Sequence, residues 1–131
     1  MDRFEGKEVI VNAPSSTLFT SFSDLTLFAD RVPQEYRDKV TITKDTVQGE
    51  VAGMNLGLEV VERIPNSKVV MKPNGGFPID FALVFDLQDA NPDQTAVKIS
   101  VETKLNFITK AMFGSKIQQI VDKLSQQIST L

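Results

Sequence analysis

The chain has 131 residues, 41% hydrophobic and 24% charged, with a formal net charge of −3 at pH 7, a size that suits one globular domain over residues 1–131 with a core of its own. It contains neither cysteine nor histidine, which excludes disulfides, thiol nucleophiles, imidazole relays and most zinc sites. Lysines and arginines are scattered among acids, so there is no basic face for nucleic acid.

The N-terminus, Met1 to Glu8, has no apolar targeting core, and nowhere does the chain approach the roughly 20 apolar residues of a membrane span. A protein without a transmembrane segment, in the cytoplasm, is the expectation. Phe4 to Val11 ends in the β-branched run Val9-Ile10-Val11 and predicts a first strand. Asn12 to Ser16 stops it, with Pro14 suited to the first turn of a helix and Asn12, Ser15 or Ser16 available as a cap. Leu18, Phe19, Phe22, Leu25 and Phe28 follow at helical spacing. Ser23-Asp24 is expected to break that segment into two short helices, and Val32-Pro33 to end it.

From Lys39 to Lys104 the hydrophobic period becomes two. Val40 and Ile42 alternate with threonines, Lys44-Asp45 is a turn, and Val47 to Val51 follows. Met54, Leu56, Leu58 and Val60 share one side of a strand, opposite Asn55, Gly57, Glu59 and Val61. Pro65-Asn66-Ser67 turns the chain into Val69 to Lys72, and Pro73 to Pro78 is the strongest breaker. After it Ile79, Phe81, Leu83, Phe85 and Leu87 face one way. Past Asp89 to Asp93, Val97, Ile99, Val101 and Leu105 do likewise. Strands joined by short turns imply an antiparallel meander, dry on one face and wet on the other.

Phe107 to Leu131 reads as one long amphipathic helix. Phe113, Ile117, Ile120, Val121, Leu124, Ile128 and Leu131 form a stripe that needs an apolar partner, and the dry face of the sheet supplies it. Ahead of Gly114 the phase changes, since Phe107, Ile108, Ala111 and Met112 point away from that stripe. Either the helix kinks at Gly114-Ser115, or the main helix starts there.

This order of elements resembles that of the helix-grip fold, and the residues from Val11-Asn12-Ala13-Pro14 through Leu18-Phe19, Phe22, Asp24-Leu25, Phe28 and Val32-Pro33 resemble the N-terminal signature of the SRPBCC superfamily. That superfamily is also called START-like or Bet v 1-like and includes polyketide cyclase, CoxG-type and lipid-transfer members. The resemblance implies an α+β fold in which a curved antiparallel sheet of six or seven strands wraps a long C-terminal helix, with two short helices after the first strand. It also implies a cavity between sheet and helix. Its wall would be Met54, Leu56, Leu58, Phe81, Leu83, Phe85, Val97, Ile99 and Val101, and its roof Met112, Phe113, Ile117 and Ile120. The loop Pro73 to Pro78 and Gly114 would stand at the mouth. Period and polarity do not separate a lined cavity from a filled core, so both readings of these residues stay open.

The expected inward face is almost wholly apolar, with no catalytic constellation and no metal or cofactor site. Its expected partner is therefore a small apolar molecule, bound or carried without catalysis; the oligomeric state is left open. Two alternatives remain. One is a cyclase- or hydrolase-like enzyme using a carboxylate with Tyr36 or Arg63, if a bulge near Gly57 turns one of Asn55, Glu59 and Arg63 inward. The other is a protein-interaction module of the Hsp90-activator type, which predicts an apolar patch on the outer sheet face; separately, the outward valines Val61, Val70 and Val84 are candidates for a dimer contact.

Overall fold

A computed structural model describes residues 2–27, 34–51, 53–77 and 79–130, the side chains of Tyr36, Val51 and Met54 excepted. The segment expected to be one strand is two: β1 (Asp2–Glu5) and β2 (Val9–Val11), which pair antiparallel with different parts of β8 (Gln94–Thr103). Between them the Gly6 amide donates to the Ile99 carbonyl at 2.8 Å, so the chain stays on β8 while leaving regular pairing.

Helix α1 spans Ser15–Ser23 and ends where Ser23-Asp24 was expected to stop it; a 3₁₀ turn at 25–27 and the short α2 (Gln34–Arg37) follow. Pro14 takes the position before the helix, at φ −63° and ψ 151°, instead of its first turn, and no side chain caps α1. Asn12 is engaged elsewhere, its Oδ1 accepting from Gln94 Nε2 at 2.7 Å. Phe28, Val32 and Pro33 lie outside the described residues.

The meander runs β3 (Val40–Ile42), β4 (Thr46–Val51), β5 (Met54–Ile64), β6 (Lys68–Pro73), β7 (Phe81–Asn91) and β8. The sheet order is β1-β8-β7-β6-β5-β4-β3, all antiparallel, with β2 continuing the β1 edge along β8. Eight strand segments replace the six or seven expected because the first strand divides. With helix α3 (Phe107–Ile128) this is the helix-grip arrangement.

Directly paired residues share a face, so the register sorts the sheet. Phe4, Val101, Leu83 and Met71 align on the inner face, as do Ile99, Phe85 and Val69. These residues, with Leu18, Phe22 and Leu25 beside α1 and Ile117 and Val121 of α3, form the buried core. Phe22 stacks on Phe85 with ring centroids 5.2 Å apart, fixing α1 to the sheet.

The outer face is polar. Arg3 pairs with Glu5 and Glu102 at 2.8 Å and with Asp86 at 3.6 Å, and Lys98 pairs with Glu5 at 2.8 Å. Val70 and Val84, expected at a dimer contact, are buried on this face instead, while Val61 is 50% exposed. Long charged side chains shield small apolar ones lying between them on a sheet surface.

Helix α3 is continuous across Gly114, so the main helix does not start there. Its start is fixed by a reciprocal cap: Asn106 Oδ1 accepts from the Thr109 amide at 2.8 Å, and Thr109 Oγ1 accepts from the Asn106 amide at 3.2 Å. The fully buried positions are Gly114, Ile117, Val121 and Ser125. That face is turned by about 60° from the expected stripe, toward the small residues. Small residues let the backbone come close, and Phe4 lies against Gly114 while Gly6 lies against Ser125.

Candidate ligand cavity

Two helices share the inner face unequally. Helix α3 packs on β8, β1 and β2, and α1 packs on β6 and β7. Toward the other end of the sheet, Val40, Val47, Gly49, Leu56, Gly57, Leu58 and Phe77 line an open, almost purely apolar recess of about 190 Å³. The register explains it: Val47 sits opposite Leu58, and Gly49 opposite both Leu56 and Val40, so a glycine occupies the middle of an aliphatic row.

The residues expected to line a cavity divide into three groups. Leu83, Phe85, Val97, Ile99, Val101 and Ile117 are buried core. Leu56 and Leu58 are half-buried on the recess wall; Phe81 and Phe113 are half-buried against the core. Met112 and Ile120 do not form a roof, being 58% and 57% exposed. The rotation that brings Gly114 and Ser125 onto the sheet carries Ile120 to the margin of the buried arc and Met112 well outside it. The side chain of Met54 lies outside the described set.

Sequence reading did not assign Val40, Val47, Gly49 and Gly57 to the site, and placed Phe77 only within the loop expected at its mouth. The alternation already placed the two valines in strands, but their juxtaposition with Leu56 and Leu58 depends on strand register. Phe77 sits in the breaker loop, its ring edge-on to Phe81 with centroids 5.1 Å apart. That loop is held against β5: the Asn74 amide donates to the Gly57 carbonyl at 2.7 Å. Gly76 has φ +85°, and a Cβ there would lie 1.8 Å from the Asn55 carbonyl oxygen, so only glycine fits.

A bulge does occur in β5, beyond Gly57. Val60 pairs with Met71 but Glu62 with Val70, leaving Val61 over and turning Arg63 onto the inner face opposite Val69. Asn55 and Glu59 remain exposed. The Arg63 guanidinium donates to the Ser23 carbonyl at 2.9 and 3.3 Å and pairs with Asp45. It ties the end of α1 to the β3–β4 turn.

Other charges stay at the margins. The Asp2 carboxylate, 3.1 Å from Lys110, also accepts from the Leu105 amide at 3.3 Å. These partners, the lysine first, hold its pKa below the usual value. The Asp24 carboxyl is lowered as well, chiefly by the Thr26 hydroxyl. Among the described residues no group of three or more carboxylates is placed to hold a metal ion, and no helix is long and apolar enough to cross a membrane.

A concave sheet carrying a long C-terminal helix and an apolar recess beside it can be compared with solved structures. The fold is the START-like, Bet v 1-like helix grip. Norcoclaurine synthase of Thalictrum flavum, solved with dopamine and hydroxybenzaldehyde, superposes with a TM-score of 0.77 at 14% identity, over 98% of this chain and 84% of that one. A Thermobifida fusca protein solved by NMR gives 0.68 at 18% identity, over 98% and 91%. A START superfamily protein of Mycobacterium smegmatis gives 0.59 at 15%, over 98% and 97%. At these identities the likeness is one of fold. No protein-family model and no curated sequence matches the chain.

Proposed function

We propose that the protein binds a small hydrophobic molecule on the inner face of its sheet, in the recess beyond the strands that α3 covers, as a binder or carrier and not as a catalyst. The observation that carries this reading is the open recess of about 190 Å³ with its nearly continuous wall of Val40, Val47, Leu56, Leu58 and Phe77. Apolar surface left concave and open to water gains free energy when an apolar guest displaces that water, at about 25 cal/mol per Å² covered. The recess is smaller than the roughly 300–1,000 Å³ that encloses a drug-sized ligand. It therefore suits the hydrocarbon or ring end of a ligand whose remainder extends toward the mouth. Norcoclaurine synthase, of the same fold, was solved with two small aromatic compounds, which supports this use of the scaffold.

An enzymatic reading requires two ionisable groups to converge in the recess. Among its lining residues there is none, and Arg63 is engaged with Ser23 and Asp45. The protein-interaction reading requires an apolar outer face, where ion pairs stand instead.

Native mass spectrometry of the purified protein, with uptake of an anilinonaphthalene sulfonate probe, tests the proposal. A bound apolar molecule, or probe uptake weakened about tenfold or more by Leu58→Glu, is the expected result. Protein that carries nothing and takes up no apolar probe overturns it.

A further inference from the structure

The first two turns of α3 present an apolar surface with no partner among the described residues. Phe107 is 90% exposed, Ile108 69% and Met112 58%, with Ala111 also exposed between them. Ile108 and Met112 lie on the side of the helix turned away from Gly114, Ile117 and Val121, with Ala111 beside them, while Phe107, seven residues ahead of Gly114, stands in line with it at the exposed start of the helix. The change of phase ahead of Gly114 is thus a second apolar face on a single helix.

That face is held rigidly. The reciprocal Asn106–Thr109 cap closes the helix start, and Asp2 on β1 accepts from the Leu105 amide and pairs with Lys110. At the same end of the sheet, Phe81 pairs with Thr103, so half-buried Phe77 and Ile79 lead into β7 near the point where β8 hands over to α3.

Charge identifies the occupant. Between Thr103 and Asp122 the chain holds Lys104, Lys110 and Lys116 and no carboxylate, and with Lys110 paired to Asp2 of β1 the surplus positive charge there is that of Lys104 and Lys116, although the whole chain carries a net charge of −3. Lys104 and Lys116 are exposed. A second copy docked through a two-fold axis would bring lysine against lysine. An anionic surface that accepts apolar side chains matches both features, and an interfacial bilayer site has that chemistry: apolar side chains at the acyl boundary and lysines among acidic headgroups. We propose that the start of α3, through Phe107, Ile108 and Met112 flanked by Lys104 and Lys116, docks the protein on an anionic lipid bilayer. This surface is separate from the recess and stands whether or not the recess holds a ligand.

The test is co-flotation of the full chain with vesicles of phosphatidylcholine, with and without phosphatidylglycerol. Binding to the anionic vesicles, weakened by added salt, is expected. The variant Phe107→Ser/Ile108→Ser should lose about tenfold or more in vesicle affinity, and Lys104→Gln/Lys116→Gln about tenfold to thirtyfold. These side chains are exposed, so unchanged thermal melting of both variants separates docking from folding. The chain has no tryptophan, so Phe107→Trp provides a single reporter whose emission should move to the blue on anionic vesicles. Failure of the native chain to float with anionic vesicles at low salt overturns the proposal. So does equal flotation of Phe107→Ser/Ile108→Ser, or a concentration-dependent dimer abolished by that variant without any vesicle binding.

Discussion

Gly6 and Ser125 meet with no room for one more carbon. A Cβ on Gly6 would lie 2.2 Å from Ser125 Oγ and 3.0 Å from Val121 Cγ1. The contact sets how closely α3 approaches the edge of the sheet, because Gly6 is also bonded to β8 through Ile99. Gly6→Ala should therefore cost about 1–3 kcal/mol by overpacking, read as a lower urea midpoint at unchanged slope. Ser125→Ala in the same chain removes the nearer clashing atom and should recover part of the loss. A Gly6→Ala protein as stable as the parent would show that α3 is free to move away from β1.

Gly114 predicts the opposite sign. It is buried inside a continuous helix, and a Cβ there would stand 3.7 Å from the Phe4 ring and from Lys110 Cγ, which is ordinary contact distance. Gly114→Ala should stabilise the protein by about 0.5–1 kcal/mol through lower chain entropy in the unfolded state. If instead the variant is as stable but takes up apolar probe more slowly, Gly114 acts as a hinge for entry.

Arg63 joins three elements through the Ser23 carbonyl and Asp45. Arg63→Met keeps the aliphatic stem and removes the fork, leaving the last turn of α1 unanchored. The expected loss is about 1–2 kcal/mol, measured by chemical denaturation. Arg63→Lys should recover little, because an ammonium does not reproduce the planar fork that reaches two acceptors. Full activity of the fold in Arg63→Met, with α1 equally protected from hydrogen exchange, would remove this role.

Acid should weaken the ion pairs that β1 makes on both faces of the sheet. The Glu5 carboxyl is held below its usual pKa first by the hydrogen bond from Lys98, with Arg3 adding to it, and Asp2 is lowered by Lys110. A folded-state pKa below that of the unfolded chain means the unfolded state binds more protons as pH falls. The stabilisation is then present above the ordinary carboxylate pKa and lost below about pH 4. Glu5→Gln should flatten the decline of melting temperature between about pH 5 and pH 3, and salt should shrink the difference, since these pairs are exposed.

The amino-acid sequence by itself determined the alternation of the sheet, the breaks at Ser23-Asp24 and Pro73 to Pro78, and the long closing helix, because period and turn chemistry are local properties. It also determined the second apolar face ahead of Gly114. Only the tertiary structure decided which residues meet. The helix settled with Gly114 and Ser125 inward because backbone proximity to Phe4 and Gly6 outweighed the wider aliphatic stripe, and Met112 and Ile120 were left in solvent. One extra residue at Val61 reversed the facing of Arg63, and the register of β3, β4 and β5 gathered Val40, Val47, Gly49, Leu56 and Leu58 into one recess. Register and helix rotation depend on contacts between distant segments, and no local pattern encodes them.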